Sequence, residues 1–342
     1  MPLVLCDGSE ATLRAIDIAL LPQFLVGPNM DAEQVVFVHV WKEGTVHHPD
    51  PVPSSAPMNA DGSEPEVSPM IKIVRHIAKS KVAAQVNYKI ETVKISAAAT
   101  MNKQEFARRV TEYGNDRVAH HKKHIIVLGV GNFAQQGKSI LSIGSVAKRE
   151  ATAATDLVFC KVAGTNPRAR APLRFTVVLE WHHDANPAIL LLQRVLQQFL
   201  NADRKDTLAV LLVANSGLSK AVQPSDETLT SFRLRCEMMI LTSLPHQSSQ
   251  DEAHEEVASA ELEVATVQPQ LFTTLFLEST KEFPSAPTVD QVPQQLIKAL
   301  GSVKCDFVVV QKELLDNDIR PSTLSLLSAP KPHVILLHHR DT

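Results

Sequence analysis

Residues 2–20, "PLVLCDGSEATLRAIDIAL", contain the change from strand to helix that decides the fold. The first six letters, PLVLCD, form an apolar run that predicts a buried strand ending at Asp7. The letters that follow predict an amphipathic helix, and Ser9 is a residue type that caps helix N-termini. The apolar face of this helix is wide and consists of Ala11, Ala15, Ile16, Ile18, Ala19 and Leu20.

The same alternation continues to residue 163. Further strands are predicted at 33–41, 86–96, 124–129 and 156–162, with helices at 70–85, 100–121 and 140–155, the second of them capped by Thr100. Residues 46–69 contain six prolines and no periodicity, which predicts a flexible loop. Strands that are joined by helices and are apolar almost throughout indicate a parallel sheet covered on both faces.

The pattern then stops and restarts. Residues 164–173 are rich in Pro and Arg and lack apolar periodicity, which indicates a linker. Beyond them, strands are predicted at 174–181, 207–215, 271–279, 305–311 and 332–340, and helices at 186–200, 226–244 and 289–302. The sequence therefore predicts two tandem α/β domains, residues 1–163 and residues 174–342.

The second half differs from the first at the positions that follow its first strand. Glu180 takes the place of Asp7, and Trp181 takes the place of Gly8. Between its fourth and fifth strands the second half has "KELLDNDIRPSTLSLLSAPK" (312–331) instead of a glycine-rich turn. We therefore expect any phosphate site to lie in the first half.

Composition excludes several classes of function. The net charge of −3 lacks the basic excess of a dedicated nucleic-acid-binding protein. No apolar run reaches the roughly 18 residues of a membrane span, and the N-terminus does not resemble a signal peptide. The four cysteines are far apart and have no CxxC spacing, so free thiols in a reducing compartment are expected: Cys6, Cys160, Cys236 and Cys305. These features predict a cytoplasmic protein without membrane or nucleic-acid partners.

Residues 124–139, "HIIVLGVGNFAQQGKS", raise the question of a phosphate-binding loop. A P-loop needs the pattern GxxxxGK[ST], and Lys138 with Ser139 fits its end. The first glycine of the pattern falls on Asn132, and Gly131 lies one residue too early. The extra residue would misplace the backbone N–H groups that surround the phosphates, so a P-loop is disfavoured.

The letters GVGNFA (129–134) also match the dinucleotide fingerprint G-x-G-x-x-G/A. That fingerprint is confirmed by an acidic residue about 20 positions further on, at the end of the next strand. Here the end of the next strand carries Lys161, and the motif lies on the fourth strand instead of the first. An NAD-dependent oxidoreductase that uses this turn remains an alternative.

Three segments together resemble the universal stress protein family: DGSEA (7–11), VHV (38–40) and LSIGSVA (141–147). The order of elements extends this resemblance over most of residues 1–163, whereas the second half resembles the family by topology alone. The resemblance implies two flavodoxin-like domains, each a doubly wound, five-stranded parallel sheet in the order 3-2-1-4-5. It also implies that the fifth strands, at 156–162 and 332–340, pair to form a pseudo-dimer and cover two sheet edges.

The resemblance further implies that the first domain binds ATP or AMP, with Mg²⁺ as an accompanying ion. Family members carry the pattern G-2x-G-9x-G-[ST], which here either starts at Gly131, with Ala134 in place of the second glycine, or starts at Gly129 with two extra residues. In the family, the equivalent of Asp7 contacts adenosine and backbone near Val40 brackets the adenine. The candidate nucleotide-binding residues are Cys6, Asp7, Val40, Leu128, Gly129, Gly131, Lys138, Ser139, Gly144, Ser145 and Val146.

Physical chemistry supports a phosphate near Gly144 and Ser145. These residues open a predicted helix, where unpaired N–H groups and the helix dipole attract anions. Lys138 and Ser139 add a charge and a hydroxyl to the same loop. If position 134 requires a left-handed backbone, Ala134 costs about 1 kcal/mol relative to glycine.

We therefore predict a nucleotide-dependent sensor or stress-response factor, with at most weak ATP hydrolysis and no residues in a catalytic arrangement. The alternative from another class is a ligand-free interaction or scaffold module. In that alternative, the acidic stretch at 251–263 and the proline-rich loop at 46–69 recruit protein partners that the sequence does not identify. Adjacent histidine pairs are poor chelators, so no metal site is predicted. Further pairing of the pseudo-dimer into a homo-oligomer is left open.

Overall fold

The structure is a computed structural model of the chain. It describes residues 2–21, 24–25, 34–42, 68–80, 83, 86–95, 101–119, 125–130, 145–167, 171–181, 186–201, 204–215, 226–243, 271–277, 296–298, 300–301, 304–312, 314–315, 318–319 and 321–338. The predicted proline-rich loop up to residue 67, the acidic stretch at 251–263 and the glycine loop at 131–144 lie outside these residues.

Strands and helices alternate along both halves of the chain. The strands are β1 (Pro2–Cys6), β2 (Val35–Lys42), β3 (Tyr88–Ile95), β4 (Ile125–Val130), β5 (Asp156–Lys161), β6 (Arg174–Trp181), β7 (Thr207–Asn215), β8 (Leu271–Leu277), β9 (Phe307–Lys312), β10 (Leu314–Leu315), β11 (Asp318–Ile319) and β12 (His333–His338). The helices are α1 (Glu10–Ala19), α2 (Pro69–Lys79), α3 (Lys103–Ala119), α4 (Ser145–Thr152), α5 (Asn186–Gln198), α6 (Asp226–Ser243) and α7 (Pro321–Ser328). Residues 296–298 and 300–301 are also helical.

Ten of the described strands form one sheet, in the order β3-β2-β1-β4-β5-β12-β9-β6-β7-β8. Neighbouring strands within this sheet are parallel except for β5 and β12, which are antiparallel. The predicted α/β class with a largely parallel sheet is therefore confirmed.

Helices cover both faces of the sheet, as the continuous apolar strands predicted. Successive residues of β1 alternate between the two faces, with Val4 in one apolar core and Leu5 in the other. The helices α1, α2, α5 and α6 contribute buried residues to the first core. The helices α3, α4 and α7 contribute to the second.

The predicted start of α1 is confirmed. The backbone N–H of Thr12 donates to the Ser9 hydroxyl across 3.3 Å, so Ser9 is the N-cap. The start of α2 differs from the prediction, because Ser68 caps a helix that begins at Pro69. Proline suits the first helical turn, which needs no N–H donor, so the last two residues assigned to the 46–69 loop belong to the helix start.

One further prediction about a helix is wrong, and one helix was not predicted. The third helix begins at Lys103 instead of at Thr100, because the Asn102 side chain accepts the Glu105 N–H at 2.8 Å and sets the first turn there. Residues 312–331, which stand in place of a glycine-rich turn and for which no element was predicted, contain the hairpin β10–β11 and the helix α7.

The pairing of β5 with β12, the two segments for which the sequence predicted it, joins the two halves of the sheet. Asp156, the first residue of β5, accepts the N–H of His338 at 2.9 Å and the guanidinium of Arg194 at 2.6 Å. At the other end of the pair, the Lys161 N–H donates to Nδ1 of His333 at 3.0 Å. Side chains therefore close both ends of this antiparallel pair.

Phe24 extends the core from the first half into the second. Its ring centroid lies 4.9 Å from that of Phe307, 6.0 Å from that of Phe199 and 6.3 Å from that of Phe175. All four rings are almost fully buried. Aromatic pairs at these distances add stability beyond the burial of their surface, so the two halves share one apolar core.

Candidate functional site

The strand order reverses between β1 and β4, which are parallel neighbours. The helix that follows β1 packs on one face of the sheet, and the helix that follows β4 packs on the other. In open α/β sheets this arrangement leaves a crevice beyond the carboxyl ends of the two strands, and ligands bind there. Asp7 directly follows β1, and Gly129 with Val130 ends β4, so both predicted segments lie at this edge.

Asp7 is exposed, and its carboxylate organises the turn between β1 and α1. Oδ1 accepts the Ser9 N–H at 2.9 Å and the Thr12 hydroxyl at 2.5 Å. Oδ1 is thus the acceptor of both of these hydrogen bonds. Nearby protein atoms displace some water from the exposed carboxylate, which opposes ionisation, but the hydrogen bonds from Ser9 and Thr12 outweigh this effect and hold the pKa of Asp7 below its usual value. The carboxylate is therefore charged at neutral pH.

Two glycines allow backbone segments to pack closely around this turn. Gly8 has a φ of +77°, and a Cβ at this position would lie 2.7 Å from Cα of Pro69, at the start of α2. Gly129 faces the first turn of α1, where a Cβ would lie 2.3 Å from the carbonyl carbon of Ala11. The absent Cβ of Gly129 therefore admits α1, which is a structural reason for a glycine at the end of β4.

The neighbouring strand β2 supports the end of β1. His39 is buried and lies opposite Cys6 in the register, and its Nδ1–H donates to the Cys6 carbonyl at 2.9 Å. Val40, one residue further along β2, is half-buried. Burial raises the pKa of the Cys6 thiol, so Cys6 is an uncharged wall residue at this edge. Leu128 is buried opposite Leu5.

The helix α4 begins at Ser145 and ends near Asp156, the first residue of β5. Because β4 and β5 are parallel, the connecting helix runs back across the sheet, and its N-terminus lies toward the edge that carries Asp7. Val146, in its first turn, is half-buried. The structure therefore places seven of the candidate residues at or near the carboxyl edge of the first half of the sheet: Cys6, Asp7, Val40, Leu128, Gly129, Ser145 and Val146.

Five predicted positions fall outside the described residues: Gly131, Ala134, Lys138, Ser139 and Gly144. The two possible starts of the family pattern, at Gly129 and at Gly131, stay open for that reason. The histidine pairs at 47–48, 120–121 and 182–183 are also outside the described part of the chain.

The end of α4 is held by a residue from the second half. Lys312, at the end of β9, donates its ammonium to the carbonyls of Glu150 and Thr155, each at 3.0 Å, and to that of Ala153. Burial lowers the pKa of Lys312 to about 8, and burial raises the pKa of the nearby Glu150 to about 8. The helix that opens at the candidate site is thus anchored at its C-terminus by the other half.

The position that should carry an acid in a dinucleotide site is occupied by Lys161. This lysine ends β5 and is almost fully buried, and its ammonium donates to the Leu326 carbonyl in α7. Burial lowers its pKa to about 7. The last residue of β5 is therefore a buried lysine, where a dinucleotide site has an acidic residue.

The second half has a different arrangement at the equivalent edge. β6 continues through Glu180 to Trp181, which pair in register with Val213 and Ala214 of β7, whereas β1 ends at Cys6. The second half therefore forms strand where the first half forms the Asp7–Gly8 turn.

Sequence reasoning missed several residues that shape the site. Thr12 shares Oδ1 of Asp7 with the Ser9 N–H, and Lys312 reaches α4 from the second half. The position of Thr12 in the first turn of α1 is a local signal that was available. Nothing local indicates Lys312, because its partners lie about 160 residues away in the sequence.

Within the described residues, no group of three or more His, Cys, Asp or Glu side chains is arranged to hold a metal ion. No described helix is both long enough and apolar enough to cross a bilayer. No protein-family model matches the chain, and no curated protein is significantly similar to it.

Proposed function

We propose that the chain is a nucleotide-binding regulatory protein of the universal stress protein type, which binds ATP or AMP in its first half. The observation that carries this proposal is the meeting of Asp7, Gly129 and the start of α4 at the edge where the strand order reverses. The protein would act as a sensor or stress-response factor, with at most weak ATP hydrolysis. A cytoplasmic location agrees with its free thiols.

The chemistry of this edge suits an adenosine nucleotide. The ionised, exposed Asp7 could accept a ribose hydroxyl or a base N–H, and such a charge-assisted bond contributes about 1.5–3 kcal/mol. Phosphate oxygens would meet the N–H groups at the start of α4, where the helix dipole favours an anion. Lys138 and Ser139, and an accompanying Mg²⁺, would complete the site as the family resemblance implies.

The proposal includes the architecture. Residues 1–163 form one flavodoxin-like domain in the order 3-2-1-4-5, and residues 174–342 form a degenerate copy, with 164–173 as the linker. The order of the ten strands and the antiparallel pair β5–β12 support a pseudo-dimer within one chain. Glu180 and Trp181 in the extended β6 leave the copy without the turn that Asp7 forms.

A ligand-free interaction module is the second candidate, and one observation favours it. The Asp7 carboxylate accepts hydrogen bonds from Ser9 and Thr12, and stabilising this turn is a sufficient reason for an aspartate at the position. The oxidoreductase that uses residues 129–134 has less support, because Lys161 is buried under α7 where an acid is needed.

Isothermal titration calorimetry with ATP, AMP and NAD separates these candidates. We expect ATP or AMP to bind the nucleotide-free protein, and Asp7→Asn to weaken binding at least tenfold. Glu180→Gln, at the equivalent position of the second half, is the matched control and should leave the affinity unchanged. An absence of ATP binding at millimolar concentration contradicts the sensor and supports the interaction module, whereas tight NAD binding supports the oxidoreductase.

A second variant tests the loop directly. If Ala134 replaces a family glycine, Ala134→Gly should tighten ATP binding about fivefold, because relief of about 1 kcal/mol of strain corresponds to that ratio. An unchanged affinity would place the family pattern at Gly129 instead.

A further inference from the structure

The fourth strands of the two halves correspond residue by residue. In β4, Leu128 is opposite Leu5 and Gly129 is opposite Cys160. In β9, Val310 is opposite Val178 and Gln311 is opposite Leu337. The two strands also share one order of buried and half-buried residues. Gln311 therefore occupies in the second half the position that Gly129 occupies in the first.

The difference between Gly129 and Gln311 changes how closely a helix can pack on the strand. The helix that follows the first strand of each half is α1 or α5, and both lie on the same face of the sheet. Backbone atoms of α1 lie 2.3–2.5 Å from where a Cβ of Gly129 would be, so no side chain fits between α1 and β4. Gln311 has a full side chain, so α5 cannot approach β9 as closely.

A cavity of about 260 Å³ lies where this closer packing is absent. Its walls come from α5 and from the carboxyl ends of β9 and β12, including Gln311, Leu337 and His338. The cavity therefore lies at the carboxyl edge of the second half. Because β12 is antiparallel to β5, this edge is at the opposite end of the sheet from Asp7. Its volume is slightly below the range of about 300–1,000 Å³ that is usual for small-molecule sites, which suits a single heterocycle.

The chemistry of the walls is amide and aliphatic. Four of the ten lining residues are glutamines, of which Gln193 and Gln197 are one helical turn apart on α5. Each glutamine offers a donor and an acceptor side by side, which pairs with an adjacent donor and acceptor on one edge of a base such as adenine. Leu190, which is half-buried, supplies apolar surface for one face of a flat ring.

The arginine that lines the cavity already has hydrogen-bonding partners. Arg194 lines it, but its guanidinium donates to Oδ2 of Asp156 at 2.6 Å and to the His338 carbonyl at 2.6 Å. Asp156 forms an ion pair with this arginine. An uncharged ligand therefore suits the cavity better than a nucleotide does.

We propose that the groove between α5 and the ends of β9 and β12 binds an uncharged, purine-like heterocycle, with Gln311 and the glutamines of α5 pairing with its hydrogen-bonding edge. This site is separate from the proposed nucleotide site, so either proposal can fail alone.

The test is ligand-observed NMR titration of the full chain with adenine as the probe. Gln311→Leu keeps the side-chain volume and removes the amide, and it should weaken adenine binding at least tenfold. Purine, which lacks the exocyclic amine of adenine, should bind the wild-type protein about tenfold more weakly. Gln104→Leu, on the exposed surface of α3, is the matched control and should bind adenine as the wild type does.

If Gln311→Leu does not fold, Gln197→Leu is the second variant. Gln197 is exposed on α5, so we expect its substitution to leave the fold intact. It should also weaken adenine binding. The proposal is overturned if adenine does not bind up to its solubility limit, or if adenine and purine bind equally. Adenine binding that disappears in Asp7→Asn and survives in Gln311→Leu belongs to the other edge and overturns it as well.

Discussion

Gly129 and Asp7 show how single residues at one edge serve both packing and a candidate ligand. Gly129 was selected from the sequence as a residue close to phosphate, and the structure gives it a packing reason, since α1 occupies the space of its Cβ. The family resemblance implies that Asp7 contacts adenosine, and in the structure its Oδ1 accepts two hydrogen bonds within the turn. For a substitution at either position, the stability of the protein therefore has to be measured as well as its affinity for ligand.

Gly129→Ala should destabilise the fold by about 2–3 kcal/mol, because the added Cβ would collide with backbone atoms of α1 that have little freedom to move. Urea denaturation followed by circular dichroism measures the change. Gly301→Ala is the matched control, since no atom lies within 4 Å of its added Cβ. Equal midpoints for the two variants would contradict the close packing of α1 on β4.

His333 should make the protein less stable as the pH falls from about 6.5 to about 4. Burial lowers its pKa to about 4, and its Nδ1 accepts the Lys161 N–H while Nε2–H donates to the Thr165 carbonyl at 2.6 Å. Between these pH values the unfolded chain binds a proton that the folded chain does not, so the free energy of unfolding decreases by about 3 kcal/mol as the pH falls.

The measurement for His333 is urea denaturation at a series of pH values for the wild type and for His333→Gln. The variant cannot take up this proton, so its stability should fall less between pH 6.5 and 4. Contributions from other groups, such as Glu150, occur in both proteins and cancel in the comparison. Parallel stability curves would rule out a neutral His333 between β5 and β12.

Helix α4 illustrates what a local pattern predicts about an element and what it misses. Its sequence predicted a helix with an exposed N-terminus suited to phosphate, and the helix begins at Ser145. Its other end is fixed by Lys312 and lies beside the buried Glu150, in contacts that join the two halves. The candidate site is therefore built on a helix whose position depends on the second half.

Lys312→Met should loosen α4 without unfolding the sheet. The carbonyls of Glu150, Ala153 and Thr155 would lose their buried donor, so the local free energy of opening should fall. Hydrogen exchange followed by mass spectrometry should show exchange at least tenfold faster in 145–152, with little change in α1. Lys298→Met, at an exposed lysine, should leave both helices protected, and unchanged exchange in α4 would contradict the anchoring role of Lys312.

The positions of the elements were largely predictable, because buried strands appear in the sequence as local apolar runs that end at turn residues. α7 was missed, since its eight residues, PSTLSLLS, are few and combine serines with leucines in no clear helical period. The contents of the candidate site were less predictable. The bond between Asp7 and Thr12, the contact of Gly129 with α1 and the reach of Lys312 all depend on three-dimensional packing.

At the scale of the whole molecule, the ten-stranded sheet extends through both halves, and one apolar core is shared between them. The strands β5 and β12 pair through their backbones, and Phe24 of the first half packs among Phe175, Phe199 and Phe307 of the second. Because buried surface is shared, we expect the two halves to unfold together.

Phe24→Ala should lower stability by about 3–5 kcal/mol and should also separate the unfolding of the two halves. Differential scanning calorimetry should show one transition for the wild type and two for this variant. Phe37→Ala is the matched control, because Phe37 is equally buried but packs against Tyr88 within the first half. A single transition for Phe24→Ala would contradict the coupling through this aromatic cluster.

The nucleotide that the purified protein retains tests the central proposal most directly. Protein isolated without added nucleotide is denatured, and the released small molecules are separated by ion-pair chromatography and identified by mass spectrometry. We predict an adenine nucleotide, ATP or AMP, approaching one equivalent per chain, and its loss from the Asp7→Asn protein. Two results together would contradict a nucleotide site beside Asp7: the protein releases no nucleotide, and millimolar ATP does not raise its melting temperature.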